Sequence, residues 1–116
     1  MTPDHFRIIW SDESIVDLRS IHHYLSRKSK KAAIELIKRI LEREEQILQY
    51  PLSGTIYLSE ELGIEFRFVI EGNYKIIYRI DDAFIIVNTI FDTRQDPDKL
   101  NHIKEPQAEF SKAATK

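Results

Sequence analysis

Residues 63–97 read GIEFRFVIEGNYKIIYRIDDAFIIVNTIFDTRQDP, and the way this stretch divides decides the fold. Ile64, Phe66, Phe68 and Ile70 alternate with Glu65, Arg67, Val69 and Glu71, the period of two that marks a strand with one buried face. Tyr74, Ile76, Tyr78 and Ile80 repeat the alternation against Lys75, Ile77 and Arg79. Residues 83–91 form a nearly continuous apolar run, as a strand covered on both faces would. Three consecutive strands are therefore expected here.

The hairpin between the first two strands admits two registers. A two-residue loop at Gly72-Asn73 pairs Phe68 with Ile77, whereas a three-residue loop, Glu71-Gly72-Asn73, pairs Phe68 with Ile76 and Phe66 with Tyr78. A slip of one residue exchanges the two faces, so the alternation predicts the three-residue loop, with Gly72 or Asn73 left-handed. That register sets Glu65 across from Arg79 and leaves Arg67 and Lys75 as the freer cations of a partly open sheet face.

Upstream, residues 6–10 (FRIIW) make a first strand. Ser11 is placed to cap a helix whose first turn holds Asp12 and Glu13, matching the helix dipole. Ile15, Leu18, Ile21 and Leu25 recur at helical spacing to about Arg27. After the basic turn 27–31, a second helix spans residues 30–49. Ala33, Ile37, Ile40 and Ile47 form its apolar stripe, widened by Leu36, Leu41 and Leu48. Pro51 stops it. The short connection predicts an antiparallel helical hairpin. Residues 51–54 read as a turn, 55–62 as an irregular connection and 98–103 as a short helical turn. The expected architecture is α+β: an antiparallel sheet of about four strands, with an N-terminal strand and a two-helix hairpin packed on its Phe/Tyr/Ile face. One domain covers residues 1–104, and 105–116 is a polar tail.

Composition narrows the function classes. The chain has 116 residues, 42% of them hydrophobic and 31% charged, which suits one globular domain. A net charge of −2 argues against bulk affinity for nucleic acid. There is no cysteine, which removes disulfides, thiolate metal sites and a Cys nucleophile. No apolar stretch approaches the ~20 residues of a membrane span and no signal-peptide core is visible, so cytoplasmic residence is expected.

Few residues carry chemistry. Arg67, Lys75 and Arg79, with Arg94 at the sheet's edge, suggest a site for an anion. Against this, Arg79 reads equally well as the partner of Glu65, and Arg94 as a counter-charge to Asp92, Asp96 and Asp98. Those three aspartates lack the loop glycine of a calcium motif, and His22 and His23 lie about 100° apart on their helix, so no metal is expected. No other cofactor is indicated. Tyr74 and Tyr78 fall at core spacing, Trp10 reads as a core anchor, and residues 42–45 read as an exposed acidic face.

With these elements in order, the chain resembles the RelE/ParE toxins of bacterial type II toxin–antitoxin systems over about residues 6–100. The matching features are Asp17-Leu18 with Ile21 and Tyr24, the Pro51…Gly54 turn, Arg67, the strand Asn73-Tyr74-Lys75-Ile76-Ile77-Tyr78-Arg79-Ile80, and Arg94-Gln95-Asp96-Pro97. The Pro-x-x-Gly turn and the RQDP ending are more similar to the ParE, or plasmid-stabilisation, branch. The resemblance implies a growth-inhibiting toxin held inactive by a cognate antitoxin. In the ParE branch the target is DNA gyrase and no hydrolytic centre is known, with Arg67, Lys75, Arg79 and Arg94 as the target-binding set. In the RelE branch it is mRNA on the ribosome, and Arg67, Lys75 and Arg94 would contact phosphate. Where that branch carries a catalytic tyrosine this chain reads Asp96-Pro97-Asp98-Lys99-Leu100. A toxin-like module that only binds an antitoxin is the third reading.

Overall fold

The computed structural model describes residues 5–94. The expected helical turn at 98–103, the polar tail, the domain boundary at 104, and Asp96 and Asp98 lie outside them. Ser11 caps the first helix as expected. Its hydroxyl accepts from the Ser14 amide at 3.0 Å, and α1 runs Asp12–Ser26 after the strand β1, Arg7–Trp10. Ser29 caps α2, Lys30–Gln49, in the same way through the Ala32 amide. A single 3-10 turn, Pro51–Ser53, ends the helical hairpin.

Four further strands follow: β2 Thr55–Ser59, β3 Ile64–Glu71, β4 Tyr74–Asp81 and β5 Phe84–Asp92. They form a five-stranded sheet in the order β1-β5-β4-β3-β2. All neighbours are antiparallel except β1, which lies parallel to β5. The class is the expected α+β. The added strand is β2, in place of the irregular connection predicted over 55–62. Its five residues, Thr-Ile-Tyr-Leu-Ser, carry no charge and pair with β3 from Thr55↔Phe68 to Ser59↔Ile64. Gly63, at φ +65°, closes the tight turn.

The hairpin register is corrected. The observed pairs are Glu71↔Tyr74, Val69↔Ile76, Phe68↔Ile77 and Arg67↔Tyr78, which is the two-residue loop. Gly72, at φ +60°, takes the first central position, where a left-handed residue matches the strand twist. The faces change with the register. Val69, Tyr74, Ile76, Tyr78, Ile85, Val87 and Ile90 pack with Leu36, Ile40 and Ile47 of α2, while Leu18 and Ile21 of α1 close over them. Phe66, Ile77 and Phe91 are buried on the opposite face, with Tyr57, Ile64 and Phe68 around them. The expected open back is therefore a second, smaller core. β5 fulfils its prediction and is buried from Ile85 to Asp92. Asn88 is the extra residue of a β-bulge, since Ile77 pairs with Thr89 and Tyr78 with Val87.

Candidate functional site

The four cations singled out by sequence do not share a face. Arg67 lies on the helix-facing side, opposite Tyr78. Its Nη1 donates to the carbonyls of Leu52 (3.1 Å) and Gly54 (3.0 Å), and its Nη2 to Glu65 at 3.3 Å. It thus fastens the end of the 3-10 turn to the sheet. Tyr78 works beside it: its hydroxyl donates to the Pro51 carbonyl at 2.6 Å and accepts from the Gly54 amide at 3.0 Å. Burial raises the Tyr78 phenol's pKa, which keeps that donor protonated. Gly54 is needed here, because a Cβ would come within 2.5 Å of the Tyr78 hydroxyl.

Lys75 and Arg79 lie on the back face. Lys75 Nζ sits 4.3 Å from the centre of the Phe68 ring, a cation–π contact. Arg79 is buried and pairs at 3.5 Å with Asp81 of its own strand. The predicted Glu65–Arg79 pair does not form, because that pairing belonged to the other register; Glu65 meets Arg67 instead.

Arg94 stands at the end of the sheet where β4 begins and β5 ends. Its guanidinium grips Asp92 in a fork, Nε–Oδ1 3.0 Å and Nη2–Oδ2 2.7 Å, and its backbone amide donates to the same carboxylate at 2.9 Å. These hydrogen bonds hold the Asp92 carboxyl below its usual pKa and raise that of Arg94. The Thr93 amide and hydroxyl bond the Asn73 carbonyl, tying this segment to the β3–β4 turn that precedes Lys75. Of the four cations, then, Lys75 and Arg94 share one end of the sheet. Arg67 and Arg79 are built into the fold.

Two arrangements were not legible in the sequence. Ser20, Ile21 and Tyr24 of α1 enclose, with Tyr74 and Asp92, a cavity of about 150 Å³. The Tyr24 hydroxyl accepts from Lys28 Nζ at 2.9 Å, and this bond lowers the Tyr24 pKa. Tyr74 is raised, first by burial and then by the Asp92 charge. Across the helical layer, Glu71 is held between Arg39 Nε and Arg43 Nε, each at 3.1 Å. This joins α2 to the end of β3. Trp10 packs against the core as expected and also donates its indole N–H to Glu44 at 2.6 Å. Glu44 lies in the 42–45 stretch expected to be an exposed acidic face, and is part-buried.

A family model described as the ParE toxin of the type II toxin–antitoxin system parDE matches residues 8–97. Among solved structures, a chain titled the chromosomal ParDE TA system from P. aeruginosa superposes with a TM-score of 0.60 at 19% identity. The match covers 76% of this chain and 96% of that one, and at this identity it speaks for the fold. No curated protein matches the sequence.

Proposed function

The chain belongs to the ParE toxin family of type II toxin–antitoxin systems, and from that premise we propose that it arrests growth in the cytoplasm by binding and inhibiting DNA gyrase, and that a cognate antitoxin neutralises it. The observation that carries this reading over a nucleolytic one is the pairing of its guanidinium groups. Arg67, Arg79 and Arg94 each meet a carboxylate, Glu65, Asp81 and Asp92 respectively. A centre that stabilises the phosphorane of a cleaved phosphodiester needs several cations converging on one oxygen cluster, whereas these are dispersed over three places, each beside a carboxylate. A surface that recognises a protein needs only complementary charge and apolar contact.

The target-facing surface in this reading is the end of the sheet that carries Lys75 and Arg94, with Phe68 and the exposed Ile70 beside Lys75. The antitoxin covers the outer side of the helical hairpin, where Val16 is 58% exposed, Ile34 64% and Leu41 52%.

The test is inhibition of gyrase supercoiling by purified protein, run beside mRNA cleavage on programmed ribosomes. Inhibition is expected with mRNA left intact. Lys75→Glu should weaken it about tenfold or more while thermal stability is kept, as loss of a complementary interfacial charge does. Intact supercoiling together with cut mRNA would overturn the proposal.

A further inference from the structure

We propose that the cavity between α1 and the start of β4, at the Tyr24–Lys28–Arg94 end, binds a phosphate group. Three hydroxyls belong to its lining residues, those of Ser20, Tyr24 and Tyr74. The Tyr24 hydroxyl accepts from Lys28, so its own proton is available to an anion. Lys28 and Arg94 carry two positive charges, and Asp92 one negative charge that is already forked onto Arg94. The balance is +1, before counting the partial negative charge of the α1 C-terminus that Lys28 faces.

Lys28 bonds the Tyr24 hydroxyl, so the anion seats at the Tyr24 mouth, while Asp92, gripped by Arg94, forms part of the cavity wall. A volume of about 150 Å³ admits a phosphate and leaves room for the ester carbon of a monoester. Arginine suits this role because its fork can keep one edge on Asp92 and turn the remaining N–H groups outward. The side chain of Arg94 is 57% exposed, so those groups are reachable.

The ligand chemistry is a phosphate dianion, whether free or carried by a mononucleotide. The site shares Arg94 with the target-facing surface, so its test reads binding on the full chain rather than growth arrest. Its failure would leave the toxin reading untouched. The experiment is an amide and tyrosine-ring NMR titration with inorganic phosphate in one arm and adenosine monophosphate in the other. Saturable shifts confined to residues around Ser20, Tyr24 and Tyr74 are expected. Affinity should fall about tenfold or more in Lys28→Gln and in Tyr24→Phe, as loss of a bond to a charged group implies. It should be unchanged in Arg19→Gln, which removes an exposed α1 cation that does not line the cavity. Equal binding in the two arms would assign the site to free phosphate, and tighter binding of the nucleotide to a nucleoside monoester. Shifts spread over the whole basic surface, or an equal loss in Arg19→Gln, would overturn it.

Discussion

Single residues in this protein show how one partner decides what a charge does. Asp92 is almost buried, with its side chain 5% exposed, and it survives there because Arg94 and a backbone amide supply three hydrogen bonds. Its carboxyl pKa is held down chiefly by the Arg94 side chain. The sign of the consequence follows. A carboxyl with a lowered folded-state pKa stabilises the fold above its unfolded pKa, and that contribution is lost as pH falls through the folded value. Urea midpoints of the parent chain should therefore drop more steeply below about pH 4 than those of Asp92→Asn, which has no proton to take up. Parallel pH profiles for the two would show that the fork adds nothing. Arg67 teaches the complementary lesson. Its alternation with Phe66 and Phe68 suggested a solvated binding cation, yet three hydrogen bonds turn it into a brace between the 3-10 turn and the sheet. Nothing in the local pattern encodes the carbonyls of Leu52 and Gly54, which reach Arg67 only after the chain has folded back along β2.

Among the elements, the helices were the most legible. The 3.6-residue stripe, the Ser11 cap and Pro51 place α1 and α2 to within a residue, because these signals are local. The β3–β4 hairpin was not, and the cause lies in Val69 and Ile77. Both were assigned to the polar phase of their strands, yet both are buried, on opposite faces. When each face of a hairpin is apolar, alternation cannot choose the register and the turn does. Gly72 settles the matter, since a two-residue turn accepts its φ of +60° at little cost. Gly72→Ala meets open space around the new Cβ, so any loss of stability reads the backbone alone. A cost of about 1–2 kcal/mol is expected from chemical denaturation. A cost near zero would mean that the turn, and with it the register, relaxes easily. β2 was missed for a related reason. Five uncharged residues beside a glycine give too short a period to separate from a loop, and only pairing along β3 makes them a strand.

At the scale of the whole molecule, the sheet is a shared wall between two unequal cores. Ile76 and Ile77 are sequence neighbours, 1% and 0% exposed, yet Ile76 packs under the helices and Ile77 against Phe66 and Phe91. This arrangement places Lys75 and Arg79 at the margin of an apolar face, where their stems cover hydrocarbon and their charges reach a partner. It also makes the proposed binding surface dependent on the back core. If that core is as close-packed as the front one, Ile77→Val should cost about 0.5–1.5 kcal/mol, matching Ile76→Val, while Ile34→Val on the exposed side of α2 should cost much less. Both core variants should shift the urea midpoint with an unchanged slope, because one sheet transmits the loss to a single cooperative unit. A back face that was merely a solvated surface would instead give Ile77→Val the small value of Ile34→Val. The outcome bears on the proposed function directly. A rigid back core fixes Lys75 over Phe68 as a preformed contact, and a preformed contact costs little ordering entropy when a partner arrives.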